Sequence, residues 1–375
     1  MKIILLYITQ NDIDEDNIRK DYRNIFNRLN SLNRKYSSIY YIFQDKTKIE
    51  YLNELNIDFD KIKRITLIYE GKNVDYDEKS FFETLFSFKN IENNLTYLKI
   101  DFRYDTLLVP DLFNNINNFK SLKYLFIHSF KFNRYFRVKL DNLKILSCPD
   151  CQNIKIKHKV NFKELKELNL ENNDLYDFKA LKNVKFDKLE KLNLEMNHIQ
   201  DKDISENVIF KELTRLKVLN LENNKISDIN VLDKVKFDKL EILNLSWNQI
   251  SDINTLKNSN FKELKELNLY NNNISDINVL DKVKFDKLEI LNLGWNLISD
   301  INVLKSVNFQ GLKELNLYMN KISNIDVFYE VKFYKLEILI LKFNPLSDTS
   351  IKKIKNYMCM NIIKNNKFKI NMGRF

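Results

Sequence analysis

Glycine, proline, cysteine, histidine and tryptophan are all scarce in this 375-residue chain, with 4, 3, 3, 3 and 2 copies, and most of these scarcities close off a class of function. The glycines Gly71, Gly294, Gly311 and Gly373 stand alone, so neither a phosphate-cradling loop nor a dinucleotide fingerprint can be assembled. Three cysteines, an odd number, make no disulfide framework and place the chain in a reducing compartment, read here as the cytoplasm. Cys148-Pro149-Asp150-Cys151 has the spacing of a zinc or redox pair. A structural zinc site takes about four soft ligands, however, and only Cys359, His128, His158 and His198 remain to complete one. No apolar run of about 18 residues is present, so no membrane span is expected. The stretch from Ile3 to Ile8 is too short for a signal peptide and lacks a small-residue cleavage site.

Catalysis is equally poorly supplied. His128 and His198 could each act as a general base, but the register of the chain sets no serine or cysteine nucleophile beside either, and Cys359 lies in the tail. The expectation is a non-enzymatic protein with no cofactor, no metal and no small-molecule substrate.

What the chain has in abundance is one repeated sentence. Leu-x-x-Leu-x-Leu-x-x-Asn-x-Leu/Ile occurs eight times, starting at Leu165, Leu189, Leu216, Leu240, Leu264, Leu288, Leu312 and Leu336; the step is constant except from Leu189 to Leu216, where the unit is longer. A leucine at every second place makes a short strand with one buried face. Each unit is too small to bury that face alone, so neighbours must stack into a solenoid with one continuous core. Ile226, Ile229 and Leu232 then mark a single helical or 3-10 turn on the return path, begun by Ser227 and Asp228. A phenylalanine stands three places before the first leucine in seven units (Phe162, Phe186, Phe237, Phe261, Phe285, Phe309 and Phe333) and six before it in the longer one (Phe210), which reads as a stacked aromatic spine. The ninth-place asparagines, Asn173, Asn197, Asn224, Asn248, Asn272, Asn296, Asn320 and Asn344, should be buried and bonded to backbone groups that lose their sheet partners at the turn.

This pattern resembles that of leucine-rich repeat proteins, and fragments such as LNLENNKISDI and LNLYNNNISDI are similar to the repeats shared by bacterial internalins and phosphatase-1 regulatory subunits. The resemblance implies an α/β solenoid: a horseshoe with a concave parallel sheet and short helical or 3-10 convex segments, capped at both ends. It also makes a regulatory or scaffold role conceivable. The unit here is slightly longer than is usual for that subclass, so the convex layer should be slightly wider.

Four segments follow. Residues 1–60 read as a mixed α/β cap, with Ile18, Tyr22, Ile25, Phe26, Leu29 and Leu32 on one helical face. Residues 61–164 carry degenerate repeats at Ile62, Leu95, Leu122 and Leu143. The eight regular repeats occupy 165–346, and a basic cap occupies 347–375 with Ile351, Ile354 and Met358 on one helical face. Within the regular block ISDINVLDKVKFDKLEILNL occurs at 226–245 and again at 274–293, so the repeats were duplicated in pairs.

The upward-facing sheet positions are free to vary, and they carry the functional information. One column is asparagine from Asn169 through Asn193, Asn220, Asn244, Asn268 and Asn292 to Asn316, read as carboxamides bonded along the sheet. Two places on, Glu171, Glu195 and Glu222 give way to Ser246, Tyr270, Gly294, Tyr318 and Lys342, beside Trp247, Trp295, Met319 and Phe343. A third column adds Ile242, Ile290 and Ile338. The expected protein-binding surface is therefore Ile242, Trp247, Tyr270, Ile290, Gly294, Trp295, Tyr318, Ile338 and Phe343, with a notch at Gly294 between two phenol rings about 10 Å apart. The partner expected is another protein. The rival is nucleic acid or an anionic surface, held by the basic 61–164 segment and by Lys352, Lys353, Lys355, Lys364, Lys367, Lys369 and Arg374, in a chain of net charge +10.

Overall fold

The computed structural model describes residues 3–7, 38–43, 62–69, 91–102, 107–108, 116–131, 140–151, 162–176, 181, 184–201, 210, 213–361 and 369–371. They fall into two compact units, the first comprising 1–174 with 179–188 and the second 175–178 with 189–375. The helical face from Ile18 to Leu32 lies outside the described residues.

In the first unit a parallel sheet runs through β1 (Ile3–Tyr7), β2 (Ser38–Phe43), β3 (Arg64–Tyr69), β4 (Tyr97–Phe102), β6 (Tyr124–His128), β8 (Ile145–Ser147) and β9 (Glu167–Asn169). Between them, β5 (Leu107–Leu108) and β7 (Phe130–Lys131) form a separate two-stranded pair. The degenerate repeats thus make true strands, because Ile65, Leu98, Leu125 and Leu146 keep the inward leucine position and are fully or almost fully buried. A one-turn helix, α1 (Ile91–Asn94), precedes β4.

The second unit stacks β10 (Lys191–Asn193), β11 (Val218–Asn220), β12 (Ile242–Asn244), β13 (Glu266–Asn268), β14 (Ile290–Asn292), β15 (Glu314–Asn316) and β16 (Ile338–Ile340) in strict parallel register, so that Leu243, Leu267, Leu291, Leu315 and Leu339 form one buried row. Among the described residues five 3-10 turns return the chain, at Asn230–Asp233, Asn254–Asn258, Asn278–Asp281, Asn302–Lys305 and Asp326–Tyr329. Each is nucleated by an acid or amide two residues ahead: Asp228, Asp252, Asp276, Asp300 and Asn324 accept the first backbone N–H of their turns. Ile226, Ile229 and Leu232 point inward as the spacing predicts. The phenylalanines are buried, and rings stack from Phe237 to Phe261 to Phe285 at 6.5 and 6.2 Å. At the long repeat Phe210 meets Phe237 edge-on instead, and Leu213 takes over the carbonyl that receives the first strand leucine. The unit ends in a helix, α2 (Asp348–Asn361), that buries Ile354, and in β17 (Lys369–Asn371), which pairs in parallel with β16.

The ninth-place asparagines are the fastening between strand and turn. The Asn272 carboxamide donates to the carbonyls of Leu245, Leu269 and Tyr270, at 3.0, 3.1 and 3.4 Å, and accepts from the Ile250 N–H at 3.0 Å. Asn224, Asn248, Asn296 and Asn320 repeat this four-bond pattern, reaching one repeat back with one donor bond and with the accepted one. Cys151 stands at the same place in a degenerate repeat, and its thiol points at the carbonyls of Ile127 and Pro149.

The residue just before each ladder position has a left-handed backbone. From Ser129 and Asp150 through Asn172, Met196, Asn223, Trp247, Asn271, Trp295 and Met319 to Phe343, φ lies between 50° and 62°, and neither described glycine, Gly294 or Gly311, has positive φ. A non-glycine residue there costs about 1–2 kcal/mol, with asparagine and aspartate the best tolerated. The position is kept because its N–H bonds the neighbouring repeat, as from Trp247 to the Tyr270 carbonyl at 2.8 Å.

One polar cluster fastens the first unit. His128 Nδ1 faces Asp101 at 3.2 Å, Nε2 faces Asp150 at 2.7 Å, and Lys99 reaches Asp101 at 3.2 Å. Contrary to the sequence expectation, a serine does sit beside His128: Ser129 Oγ lies 3.1 Å from Nδ1. It shares that nitrogen with Asp101 while Asp150 occupies the other, so both ring nitrogens face carboxylates, which favour the protonated ring. The hydrogen bond to Asp101 outweighs burial and, with the fields of both carboxylates, raises the His128 pKa above 6.5. Burial would raise Asp101, but His128 and Lys99 overcome it and hold it below its ordinary value.

Two outcomes follow from these fastenings. Asn248→Asp or Asn272→Asp, which keeps the acceptor and loses the donors, should destabilise by about 1–3 kcal/mol in chemical denaturation. The cluster's stability should be intact between about pH 4 and pH 6.5, lost on acidification as Asp101 protonates, and lost on alkalinisation as His128 deprotonates through its raised pKa. Because the ring is partly exposed, the alkaline loss should be about 1 kcal/mol or less, and His128→Asn should remove the difference between melts at pH 6 and pH 8.5.

Candidate functional site

The strands of the second unit present three upward columns, and their charges are arranged by neighbour. At the strand entry Glu190, Lys217, Glu241, Lys265, Glu289 and Lys313 alternate in sign. Each lysine bonds the glutamate one repeat back, at 2.8, 2.6 and 2.7 Å. Exposed pairs of this kind add little stability. They do leave that edge electrically answered, and they need the two-repeat period seen in the sequence.

The asparagine column behaves differently from its expected role. Each side-chain oxygen accepts the backbone N–H two residues on, as Asn268 does from Tyr270 at 3.1 Å and Asn292 from Gly294 at 3.1 Å. These are local turns that guide the chain out of the strand, in place of a carboxamide ladder along the sheet. Amide groups of the column also reach sideways, as Asn220 to Glu195 and Asn244 to Glu222. The acidic patch is thereby partly engaged within the protein.

Beyond the strands lies the aromatic group. Trp247 and Trp295 are 44% and 41% exposed, and although their strands are two apart the rings come together to a centroid distance of 5.8 Å. Tyr270 lies 6.2 Å from Trp247 and meets Trp295 edge-on at 6.1 Å. Tyr318 meets Phe343 edge-on at 5.1 Å, and the Lys342 ammonium covers Phe343. The notch expected at Gly294 is not open. The Tyr270 ring lies across it, with Cδ2 at 2.9 Å and Cε2 at 3.1 Å from the place a Cβ would occupy. Burial, and then the nearby Tyr318 hydroxyl, raise the Tyr270 phenol pKa. Gly294 is needed to let that ring lie flat, and a continuous aromatic surface replaces the pocket.

The third column also departs from its sequence reading. Ile242, Ile290 and Ile338 are half-buried, but register places Glu266 between the first two and Glu314 between the last two. This half of the face is therefore amphiphilic, not simply apolar.

Elsewhere, Cys148 and Cys151 are buried free thiols, and burial raises the Cys148 pKa well above its ordinary value. His198 stacks on Tyr176. In the tail Lys352 and Lys353 are exposed on α2, while Lys364, Lys367 and Arg374 lie outside the described residues. The first unit carries a second aromatic group that pattern reading missed. Tyr97 packs on Phe126 at 5.2 Å under the Arg64 guanidinium, 4.2 Å from its ring. The signal was an aromatic recurring at the third place of consecutive degenerate repeats, Tyr97 and Tyr124.

Among the described residues no helix is long and apolar enough to cross a membrane. Two family models match: leucine-rich repeats in two copies at residues 214–258, and a single leucine-rich repeat at residues 188–206. No curated protein matches by sequence. Among solved structures, an internalin from Listeria monocytogenes is similar at 23% identity, covering 87% of this chain and 93% of that one, with a TM-score of 0.58. A leucine-rich repeat protein from Leptospira interrogans shares 17% identity over 88% of this chain and all of that one, at a TM-score of 0.46. The repeating sentence, the strand it builds and the asparagine that closes each turn give this chain a leucine-rich repeat fold, similar to that of an internalin.

Proposed function

We propose that the protein is a non-enzymatic interaction module, cytoplasmic, that binds another protein through the sheet face of its second unit. Trp247, Tyr270, Trp295 and Tyr318 form the centre, flanked by Phe343 at one end of the strands and by Ile242, Ile290 and Ile338 at the other. Leucine-rich repeats commonly serve as protein-binding modules, which supports the reading. The observation that carries it is the backbone under the two tryptophans. Both sit at left-handed positions where the same column elsewhere uses asparagine, at Asn172, Asn223 and Asn271. Folding alone would favour asparagine there, and it would not favour a large apolar ring held in water. Exposed aromatic rings on a preformed scaffold are what interface anchors require. On this reading the basic tail is a cap, and any retention of nucleic acid is weak and lost at physiological salt.

The double variant Trp247→Asn, Trp295→Asn separates binding from folding. Its melting temperature should stay within a few degrees of the parent, since the relieved backbone strain of about 1–2 kcal/mol per site offsets lost ring contacts of about 0.5–1.5 kcal/mol. Partners captured by the parent from cell extract should be lost. A variant that captures the same partners would remove this function.

A further inference from the structure

The sheet face of the second unit has a charge pattern as well as an apolar one. Most carboxylates near it are answered from within: Glu190, Glu241 and Glu289 by lysines, Glu195 and Glu222 by asparagines. Glu266 and Glu314 are not. Among the described residues neither carboxylate has a hydrogen bond or an ion pair, and they flank Ile290 in strict register, Glu266 on β13 and Glu314 on β15. Two strand spacings set their backbones about 10 Å apart, with an aliphatic floor between. Partial burial and then mutual repulsion raise the Glu266 carboxyl, so the pair is held at an electrostatic cost that a cation would relieve. The lysines that precede them in the chain, Lys265 and Lys313, are paired with Glu241 and Glu289.

We propose that the partner presents a cationic side chain, arginine before lysine, which seats on Ile290 between Glu266 and Glu314 while an apolar side chain beside it covers the Trp247, Tyr270 and Trp295 rings. This rests on the reading of the same face as the binding surface. Arginine fits best because a weakly hydrated planar guanidinium can lie on an aliphatic floor and still reach two carboxylates. The strand and the two residues that follow it set the spacing. Glu266 and Tyr270 are four residues apart along one chain, about 13 Å, so an extended partner segment would carry its cation and its apolar anchor about four residues apart.

A library of displayed peptides, each about 12 residues long so as to outreach that span in extended form, tests this when panned on the full-length protein, with two variants panned in parallel. Peptides enriched on the parent should carry arginine or lysine about four residues from an aromatic or large aliphatic residue. The variant Glu266→Gln, Glu314→Gln should bind a synthetic peptide of the consensus about tenfold more weakly, as expected for two charge pairs at a partly desolvated site. It should also lose the cationic preference while keeping the apolar one. Trp247→Asn, Trp295→Asn should lose the enrichment altogether. Neutral or acidic peptides that depend on the tryptophans, or cationic peptides indifferent to the glutamine changes, would overturn the inference and leave the binding surface standing. Absence of any tryptophan-dependent enrichment would overturn both.

Discussion

Everything in the second unit hangs on one carboxamide per repeat, buried in all but the last. A strand of three residues cannot by itself satisfy the carbonyls that the chain exposes as it turns into the interior. The asparagine after it shares its two N–H donors among three carbonyls and accepts one N–H, part of this across the repeat boundary. Turn closure and repeat stacking are therefore the same interaction, which is why the array tolerates so much variation on its surface. Cys151 shows the limit of that tolerance, because a thiol offers one weak donor and no comparable acceptor, and it appears where the repeats are degenerate.

The left-handed residue ahead of each asparagine follows from the same closure. Its conformation is imposed by the bonds on either side, and whichever side chain occupies it is pushed out onto the sheet face. The fold thus builds a row of outward pedestals whether or not anything useful stands on them. In this chain asparagine takes some of them and rings or methionines take others. The cost of those choices is local, and the core beneath does not feel it.

Leucine spacing made the strands, the turns and the inward phenylalanines legible, because burial leaves few alternatives at those places. The pedestal column was not legible, since tryptophan, methionine and phenylalanine carry no signal of a left-handed backbone; Asn172, Asn223 and Asn271 were the only hint. The filled notch was missed for a related reason: a glycine between two tyrosines looks like a gap in sequence, whereas side-chain torsions decide which ring lies down. The cluster of Asp101, His128 and Asp150 joins degenerate repeats that start at unequal steps, at Leu95, Leu122 and Leu143, where no fixed period points to it. The isoleucine column misled by omission, because only register shows the glutamates between its members. Edge strand β17 follows no leucine pattern at all.

The identical segments at 226–245 and 274–293 also bear on how such a chain changes length. Excising the repeat pair from Ile226 to Asn273 would join Lys225 to Ile274, within the same local sequence, and Lys217 would then neighbour Glu289 as it now neighbours Glu241. Leucine rows, asparagine closures and sign alternation would all pass through the junction unbroken. A cut of a single repeat would set like charges side by side. Repeat pairs are therefore the heritable quantum of this array, and one recombination event could discard Trp247, Glu266 and Tyr270 together while leaving the scaffold continuous.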